Sequence, residues 1–269
     1  TFFAVTAIGQ VRLTDLVNPI IGTNGMGHTF PGACAPFGIV QLSPETDTIP
    51  QNVNGKYQPE VYAYCAGYQY RDQTIVGFSH THLSGTGHSD LGDIMIMPVN
   101  GPLRLNPGTA TDPGSGYRSR FSHETEKCAP GYYEVILSDY HIKVQLTATQ
   151  RVGVHQYTFP DKKGRFILDL GHGIYNYKGK TVWTCLRVVN DTLLTGYRIT
   201  NGWARQNYTY FAISLSSPIK DWGYADRQKM PYGGFWGKFD IHHNFPDMAG
   251  REMVGYFDVD LPSDDRLVV

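Results

Sequence analysis

Residues 77–98 read GFSHTHLSGTGHSDLGDIMIMP, and this stretch decides the fold. A polar, glycine-rich loop with histidines and aspartates lies between an apolar run before it and the run Ile94–Met97, which Pro98 ends. Short apolar runs bounded by glycine and proline are typical of buried strands. Loops held by such a scaffold are where binding and catalytic groups usually collect. The stretch therefore predicts a β protein with a functional loop between two strands.

A second stretch, residues 18–44, is equally rich in glycine and proline and also carries a histidine. Elsewhere, alternating apolar residues predict strands at 37–42, 61–70, 166–170, 182–189, 193–200, 208–216, 235–241 and 253–261, with three more inside 132–159. Residues 45–60 read as a surface loop, and the best helical turn lies near 220–229. The prediction is an all-β fold over residues 8–269. It is a single, large, two-sheet antiparallel β-sandwich, supersandwich-like, with few short helices.

Composition narrows the classes of partner and compartment. The formal net charge is −1 with charges interspersed, which excludes the basic face that nucleic-acid binding needs. No apolar run approaches the ~18 residues of a membrane-spanning helix, so membrane insertion is not expected. The four cysteines contain no CxxC pair, and thiols are favoured over two disulfides. Residues 1–7 read either as the remnant of a signal peptide or as a first strand.

The loop after the first apolar run offers metal and sugar ligands. His80 and His82 are two apart, so on a strand they would face one side, and with His88 they could form the ligand set of a zinc hydrolase. Hydrogen bonds within the loop or to a sugar hydroxyl are the favoured alternative. Asp90 and Asp93 either cap the loop through their own backbone or accept hydrogen bonds from vicinal sugar hydroxyls.

A set of short motifs along the chain carries a resemblance to one family. The motifs are Val17-Asn18-Pro19, Ile21-Gly22-Thr23, HTFPGA at 28–33, PFG at 36–38, QLSP at 41–44, CAGY at 65–68, GFSHTHLSGTG at 77–87, Asp90 with Gly92-Asp93, PGYY at 130–133 and LTATxR at 146–151. They cover nearly the whole chain, and the run FSHTHLSGTG is long enough to be highly specific. In these motifs the sequence resembles the N-terminal domain of glycoside hydrolase family 92, the exo-acting α-mannosidases.

The resemblance implies a β-sandwich followed by a larger (α/α)6 barrel, and the barrel is absent from this chain. The barrel would hold the catalytic carboxylates and the calcium ion of a calcium-dependent, inverting hydrolysis of terminal α-mannosides, including N-glycans. No catalytic residue and no metal ligand is therefore expected in residues 1–269, and the chain alone should be inactive. The sandwich would complete the mannose pocket through Phe30, Tyr64, Cys65, His88, Asp90 and Asp93.

The same resemblance implies the partners and the compartment. The partners would be a mannose-containing glycan and the protein's own C-terminal barrel. The protein would be secreted, periplasmic or attached to the cell surface. The principal alternative is a stand-alone carbohydrate-binding β-sandwich, which would present aromatic platforms on an open face.

Overall fold

In a computed structural model of the chain, the described residues are 12–46, 50–85, 91–175, 177, 179–228 and 247–269. Their strands are β1 (Ala33–Cys34), β2 (Gln41–Glu45), β3 (Asn52–Val53), β4 (Lys56–Tyr57), β5 (Thr74–Ile75), β6 (Gly77–Ser79), β7 (Met95–Val99), β8 (Ser119–Arg120), β9 (Lys127–Ala129), β10 (Tyr132–Leu137), β11 (Ile142–Ala148), β12 (Gly153–Thr158), β13 (Lys163–Asp169), β14 (Thr181–Asn190), β15 (Leu193–Thr200), β16 (Asn207–Ser214), β17 (Ile219–Asp226), β18 (Asp247–Gly250), β19 (Met253–Asp260) and β20 (Arg266–Val268). The helices are short 3-10 turns at Leu13–Leu16, Pro59–Tyr64, Pro113–Ser115 and His123–Thr125.

Three large antiparallel sheets organise these strands. The seven-stranded sheet has the order β1-β2-β6-β7-β13-β19-β17, the five-stranded sheet β20-β12-β11-β10-β9, and the four-stranded sheet β16-β15-β14-β18. Two small pairs, β3-β4 and β5-β8, complete the set. The three strands predicted inside 132–159 are β10, β11 and β12, in register from Tyr132↔Thr147 to Lys143↔Thr158. The prediction of an all-β antiparallel fold with few short helices is confirmed.

One apolar core joins the three large sheets. It contains Phe166 from the seven-stranded sheet, Val144 from the five-stranded sheet and Leu194 from the four-stranded sheet, all fully buried. The two smaller sheets meet at their edge strands, where the Ser216 N–H donates to the Val268 carbonyl at 2.9 Å. They therefore act as one layer over the seven-stranded sheet, and side chains from both layers fill the space between.

Two local predictions are wrong. Residues 61–70 were expected to form a strand, but Pro59–Tyr64 is a 3-10 helix with proline in its first turn, where a fixed φ and a missing N–H are tolerated. Val61, Tyr64 and Cys65 are buried three and four residues apart, which is a helical spacing. The expected helical turn near 220–229 is instead strand β17, which pairs with β19.

Two prolines that were expected to end strands lie inside them. Pro44 pairs with Phe78, and Pro98 pairs with Phe166. On its other side, β2 pairs with β1 only at Gln41 and Leu42. Strand β7 pairs with β6 only at Ile96, two residues before Pro98. Each proline therefore has a strand neighbour on one side only. A missing N–H on the open side costs no hydrogen bond between strands.

Some sequence predictions concern residues outside the described ranges. These are the possible signal-peptide remnant at 1–7 and the strand at 235–241. All four cysteines are described, and none is in a disulfide, as favoured from the sequence. Among the described helices, none has the length and apolar character needed to cross a membrane.

Candidate functional site

The two glycine-rich stretches contact each other beside the ends of β6 and β7. The Gly85 N–H donates to the His28 carbonyl at 2.7 Å, and the Phe30 and His82 rings lie 5.3 Å apart between centroids. The segment around the 3-10 helix joins them, since Cys65 Sγ lies 3.6 Å from the Gly85 carbonyl oxygen. We call these segments together the loop cluster: residues 22–33, 59–72, 79–85 and 91–94.

A buried ion pair anchors the loop cluster to β2. Glu45 Oε1 lies 3.0 Å from His82 Nε2, and both side chains are fully buried. The Ser79 hydroxyl donates to the same oxygen, and His172 Nε2 lies 3.9 Å from it. His82 Nδ1 lies 2.7 Å from the carbonyl oxygen of Gln41. Both nitrogens of the His82 ring thus face oxygen atoms, and the ring bridges the Glu45 carboxylate and the backbone of β2.

Electrostatics and a close backbone approach keep Glu45 ionised. Burial alone would raise the pKa of Glu45, but the charge and the hydrogen bond of His82, together with the nearby His172 ring, lower it well below its usual range. Gly67 passes directly over the carboxylate with φ +83°, and a Cβ there would lie 2.4 Å from Glu45 Oε2. The carboxylate therefore ties β2 to two segments of the loop cluster at once.

A second buried ion pair fixes the end of the loop that leads into β7. Arg198 Nε lies 3.2 Å from Asp93 Oδ1, with the side chains 0% and 2% exposed. Thr81 Oγ1 donates to Asp93 Oδ2 at 2.8 Å, and it also accepts the Asp93 N–H at 2.9 Å. Arg198 also donates to the His172 carbonyl. The Asp93 carboxylate is thus held by partners inside the domain.

His80 belongs to a directed chain of hydrogen bonds rather than to a shared site with His82. Its Nδ1 lies 2.7 Å from the Ile94 carbonyl, which can only accept, so Nδ1 carries the proton. Its Nε2 then accepts from His155 Nε2 at 3.1 Å, and His155 Nδ1 accepts from the Tyr157 hydroxyl at 2.7 Å. Burial lowers the pKa of His80 to about 4 and that of His155 well below its usual value, so both rings are neutral.

The two histidines therefore make separate hydrogen bonds, the alternative that was favoured from the sequence, and do not share one site. Strand β6 ends at Ser79, and the alternation of a strand does not extend through the two histidines. Ile94, whose carbonyl accepts the hydrogen bond from His80 Nδ1, has φ +55°. This left-handed conformation is unusual for a β-branched residue. That turn aims its carbonyl at the His80 ring.

Comparison with known proteins assigns the family. A family model described as the glycosyl hydrolase family 92 N-terminal domain matches residues 16–269. The chain belongs to this family. The resemblance found in the sequence motifs is confirmed.

Solved structures and a curated relative extend the match. The family GH92 α-mannosidase BT3965 from Bacteroides thetaiotaomicron, solved with mannoimidazole, is 32% identical with a TM-score of 0.80, over 95% of this chain and 31% of that chain. The GH92 inverting mannosidase BT2199 of the same organism shares the fold at 23% identity and TM-score 0.71, over 97% and 31%. An uncharacterized secreted glycosidase from Arthroderma benhamiae is 28% identical over 153 residues, 54% of this chain and 17% of its own length. This family 92 domain thus spans less than a third of those relatives.

The domain brings several of the sequence-predicted site residues to the loop cluster. Phe30 is half-buried on the His82 ring, and Cys65 is fully buried beside Gly85. Tyr64 is also buried, and its hydroxyl donates to Asp72 at 3.1 Å. Asp93 lies in the ion pair described above. His88 and Asp90 lie outside the described residues, and the assignment of all six to substrate binding stays a prediction.

Sequence reasoning missed the charged groups that hold the cluster together. Glu45 was assigned to a surface loop, but it is the last residue of β2 and is fully buried. His172 and Arg198 were not singled out, although both touch the cluster. Each is separated from its partner by dozens of residues, so no local spacing could have paired them.

Three buried carboxylates in the described part of the chain do not fit a calcium site. Glu45, Asp93 and Asp169 are each paired with a cationic side chain, Asp169 with Arg227 at 2.7 Å. Calcium takes six to eight oxygen ligands, which these paired groups cannot supply together. Within the described ranges no group of three or more His, Cys, Asp or Glu residues is placed to hold a metal ion.

Proposed function

We propose that this domain forms one wall of the mannose pocket in a calcium-dependent, inverting exo-α-mannosidase, and that the loop cluster is that wall. The observation that carries the proposal is the contact between the two family-specific stretches, residues 22–33 and 79–85, on one rigid anchor. The α-mannosidase BT3965, at 32% identity, supports the substrate class. The calcium ion and the two catalytic carboxylates would come from a second domain of a longer protein.

The chemistry of the loop cluster supports a role in binding and orientation. Phe30 offers a half-buried ring as an apolar surface for one face of a pyranose. An inverting glycosidase needs two carboxyl groups ~6.5–9.5 Å apart with a water between them. Glu45 and Asp93 are both committed to internal cations, so they hold loops in place rather than activate water. Asp90 and His88 stay the predicted polar contacts to the sugar hydroxyls.

An exposed apolar segment supports contact with a second domain. Large apolar side chains that are more than half exposed are concentrated near the start of the described chain: Leu13, Leu16, Val17, Ile21, Met26, Phe37 and Ile39. Extended apolar surface on a domain marks an interaction site. The segment precedes and overlaps the loop cluster in sequence, as expected if the second domain closes the pocket over these loops. Secretion, as in the description of the Arthroderma benhamiae relative, would fit an enzyme acting on extracellular glycans.

Kinetics of the full-length enzyme test this proposal. Phe30→Ala should lower kcat/KM for an aryl α-mannoside by at least about tenfold, and Asp90→Ala by about a hundredfold, if both bind the sugar in the transition state. Leu103→Ala is the control, because it removes an exposed apolar side chain outside both the loop cluster and the four-stranded sheet. Unchanged kinetics in both site variants would remove the loop cluster from the pocket. Robust turnover by residues 1–269 alone would place the catalytic groups here instead.

One observation favours the second candidate, a carbohydrate-binding face. Tyr208 and Tyr210 lie on the outer face of the four-stranded sheet with nearly parallel rings, 12° between planes and 6.4 Å between centroids, and Tyr197 packs beside Tyr210. Exposed aromatic faces of this kind can stack on sugar rings. Titration calorimetry of the chain with mannobiose distinguishes the two candidates. The pocket-wall proposal predicts no measurable binding, whereas a binding face predicts heat that Tyr208→Ala or Tyr210→Ala abolishes.

A further inference from the structure

Two strand edges face each other across a cleft in the second layer of the sandwich. The cleft encloses about 710 Å³ between residues 151–155, at the start of β12, and residues 209–216, which include most of β16. Ile39, Ile94 and His80 contribute to its lining. Among the described strands, β16 has a neighbour only in β15, and β12 has no second neighbour at Gly153 and Val154. Unpaired edges of this kind are templates for another strand.

The hydrogen bonds beside the cleft show which backbone groups of β16 face it. The Leu215 N–H donates to Thr192 on the β15 side, whereas the Ser216 N–H donates to Val268 on the cleft side. Alternate residues of a strand point their N–H and C=O to opposite sides. The amides of Tyr210, Ala212 and Ser214 therefore face the cleft.

Strand β20 runs along one wall of the cleft and points into it. Val269 exchanges both backbone hydrogen bonds with His155 at 2.9 Å, one residue pair beyond the β12–β20 register of Gln156↔Val268. The next residue in this register would face Val154 and the one after it Gly153. At Val268 the chain already has strand neighbours on both sides, because Ser216 contacts it from the β16 side. A strand continuing in this direction would be antiparallel to both walls.

We propose that the cleft receives an added β-strand, and that this strand is the polypeptide joined to Val269 in the full-length protein. The inference rests on the part of the proposed function that gives the protein a second domain. Pairing on both sides would join the four- and five-stranded sheets into one continuous layer. The first segment of the connection to the second domain would thus be held within the sandwich by main-chain hydrogen bonds.

The cleft also specifies the chemistry of its occupant. Leu267 is buried and Arg266 is exposed, so alternate residues of β20 face the core. In that alternation the second and fourth residues after Val269 point inward. The second would lie beside Gly153, whose missing side chain makes room for the His80 ring. We expect apolar residues at both positions and polar ones between them.

Amide hydrogen exchange in the full-length protein tests whether the strand is present. The amides of Ala212 and Ser214 should exchange at least about a hundredfold more slowly than in the chain ending at Val269, because they gain partners only from the added strand. The amides of Phe211 and Ile213 are the internal control, since they face β15 in both proteins. Fast exchange of the cleft-facing amides in the full-length protein would overturn the proposal. Mannosidase kinetics are measured separately, so failure of the strand and failure of the pocket are distinguishable.

A disulfide tests the identity and register of the occupant. Val154→Cys combined with cysteine at the residue following Val269 creates a non-hydrogen-bonded pair, whose Cα atoms lie about 4.5 Å apart and within disulfide range. We expect oxidation to link most molecules, as read by peptide mass spectrometry. Val152→Cys is the matched control, two residues out of register, and should give little of the same link. Protected amides without the Val154 link would mean that a different segment fills the cleft, which would refute the assignment.

Discussion

The ion pair between Glu45 and His82 can be broken with little change in shape by Glu45→Gln. The substitution keeps the volume of the side chain and removes its charge. The His82 ring still faces the carbonyl of Gln41 at 2.7 Å, so it retains one acceptor but loses its counter-ion in a fully buried site. The variant therefore isolates the electrostatic contribution of the carboxylate to the loop cluster.

The magnitude follows from the burial of both partners. Removing one member of a buried pair leaves an uncompensated charge and costs about 3–5 kcal/mol. The loss also includes the charge-assisted hydrogen bond from Ser79. Because domains of this size are stable by only about 5–15 kcal/mol, the variant should remain folded but lose a large fraction of its stability.

Urea denaturation at pH 7 measures the effect. Asp260→Asn is the control, because Asp260 pairs with Lys220 while both side chains are more than 60% exposed, and it should change nothing resolvable. A loss below about 1 kcal/mol in Glu45→Gln would refute the view of a tightly coupled buried ion pair. His82→Gln in the Glu45→Gln background should cost much less than in the wild type, because the cation left unpaired by the first change is then removed.

The pH dependence gives an independent check with a defined sign. The folded pKa of Glu45 is lowered, so its contribution to stability is complete above the unfolded value of about 4.3 and is lost as the pH falls towards the folded pKa. Glu45→Gln lacks this group. The difference in unfolding free energy between the two proteins should therefore shrink below about pH 4. A constant difference down to pH 3 would contradict the assignment of the charge to Glu45.

Three further perturbations test other parts of the loop cluster. Gly67→Ala should destabilise the fold more than Gly55→Ala. Both residues have positive φ, so each substitution costs about 1–2 kcal/mol of backbone strain, but only at Gly67 would the new Cβ lie 2.4 Å from Glu45. Equal losses of stability in urea would refute the close approach. His80 should stay neutral in nitrogen-detected NMR from pH 8 to pH 5, because its pKa is lowered to about 4; its contribution to stability is complete above about pH 6.5 and is lost as the pH falls towards 4. Arg198→Met should lower the free energy of unfolding by about 3–5 kcal/mol, because it leaves Asp93 buried without its counter-ion. Arg187→Met, which removes an exposed pair with Asp247, should leave stability unchanged.

The sequence predicts the parts of this fold that depend on local pattern. Alternating residues gave the meander β10–β12 and the long strands β14 to β16, since one face of each strand is buried. The 3-10 helix at Pro59–Tyr64 could not be predicted in this way, because its aromatic residues are equally common in strands. Its conformation depends on burial against the other segments of the loop cluster. Likewise, whether β2 can continue through Pro44 depends on which side of the proline has a neighbouring strand.

The sequence predicted the location of the candidate site but not the buried ion pairs that hold it together. Two glycine-rich stretches were expected to carry it, and they do contact each other through Gly85 and His28. Glu45 directly follows one stretch, but its partner His82 lies 37 residues along the chain. Arg198 lies more than a hundred residues from its partner Asp93. A single sequence shows which residues are polar, but only the folded chain shows which carboxylate is neutralised by which cation.

That neutralisation limits what the domain can do chemically. A general acid near neutral pH needs a carboxyl group whose pKa is raised towards the working pH. The pKa of Glu45 is lowered by His82 and His172, and Asp93 is held by Arg198 and Thr81. Protonating Glu45 would break this buried pair at a cost of about 3–5 kcal/mol. If Glu45 only positions the loops, a folded Glu45→Gln full-length enzyme should keep the wild-type pH profile of kcat and show its loss mainly in KM. A displaced acidic or basic limb of that profile would mean that Glu45 takes part in proton transfer.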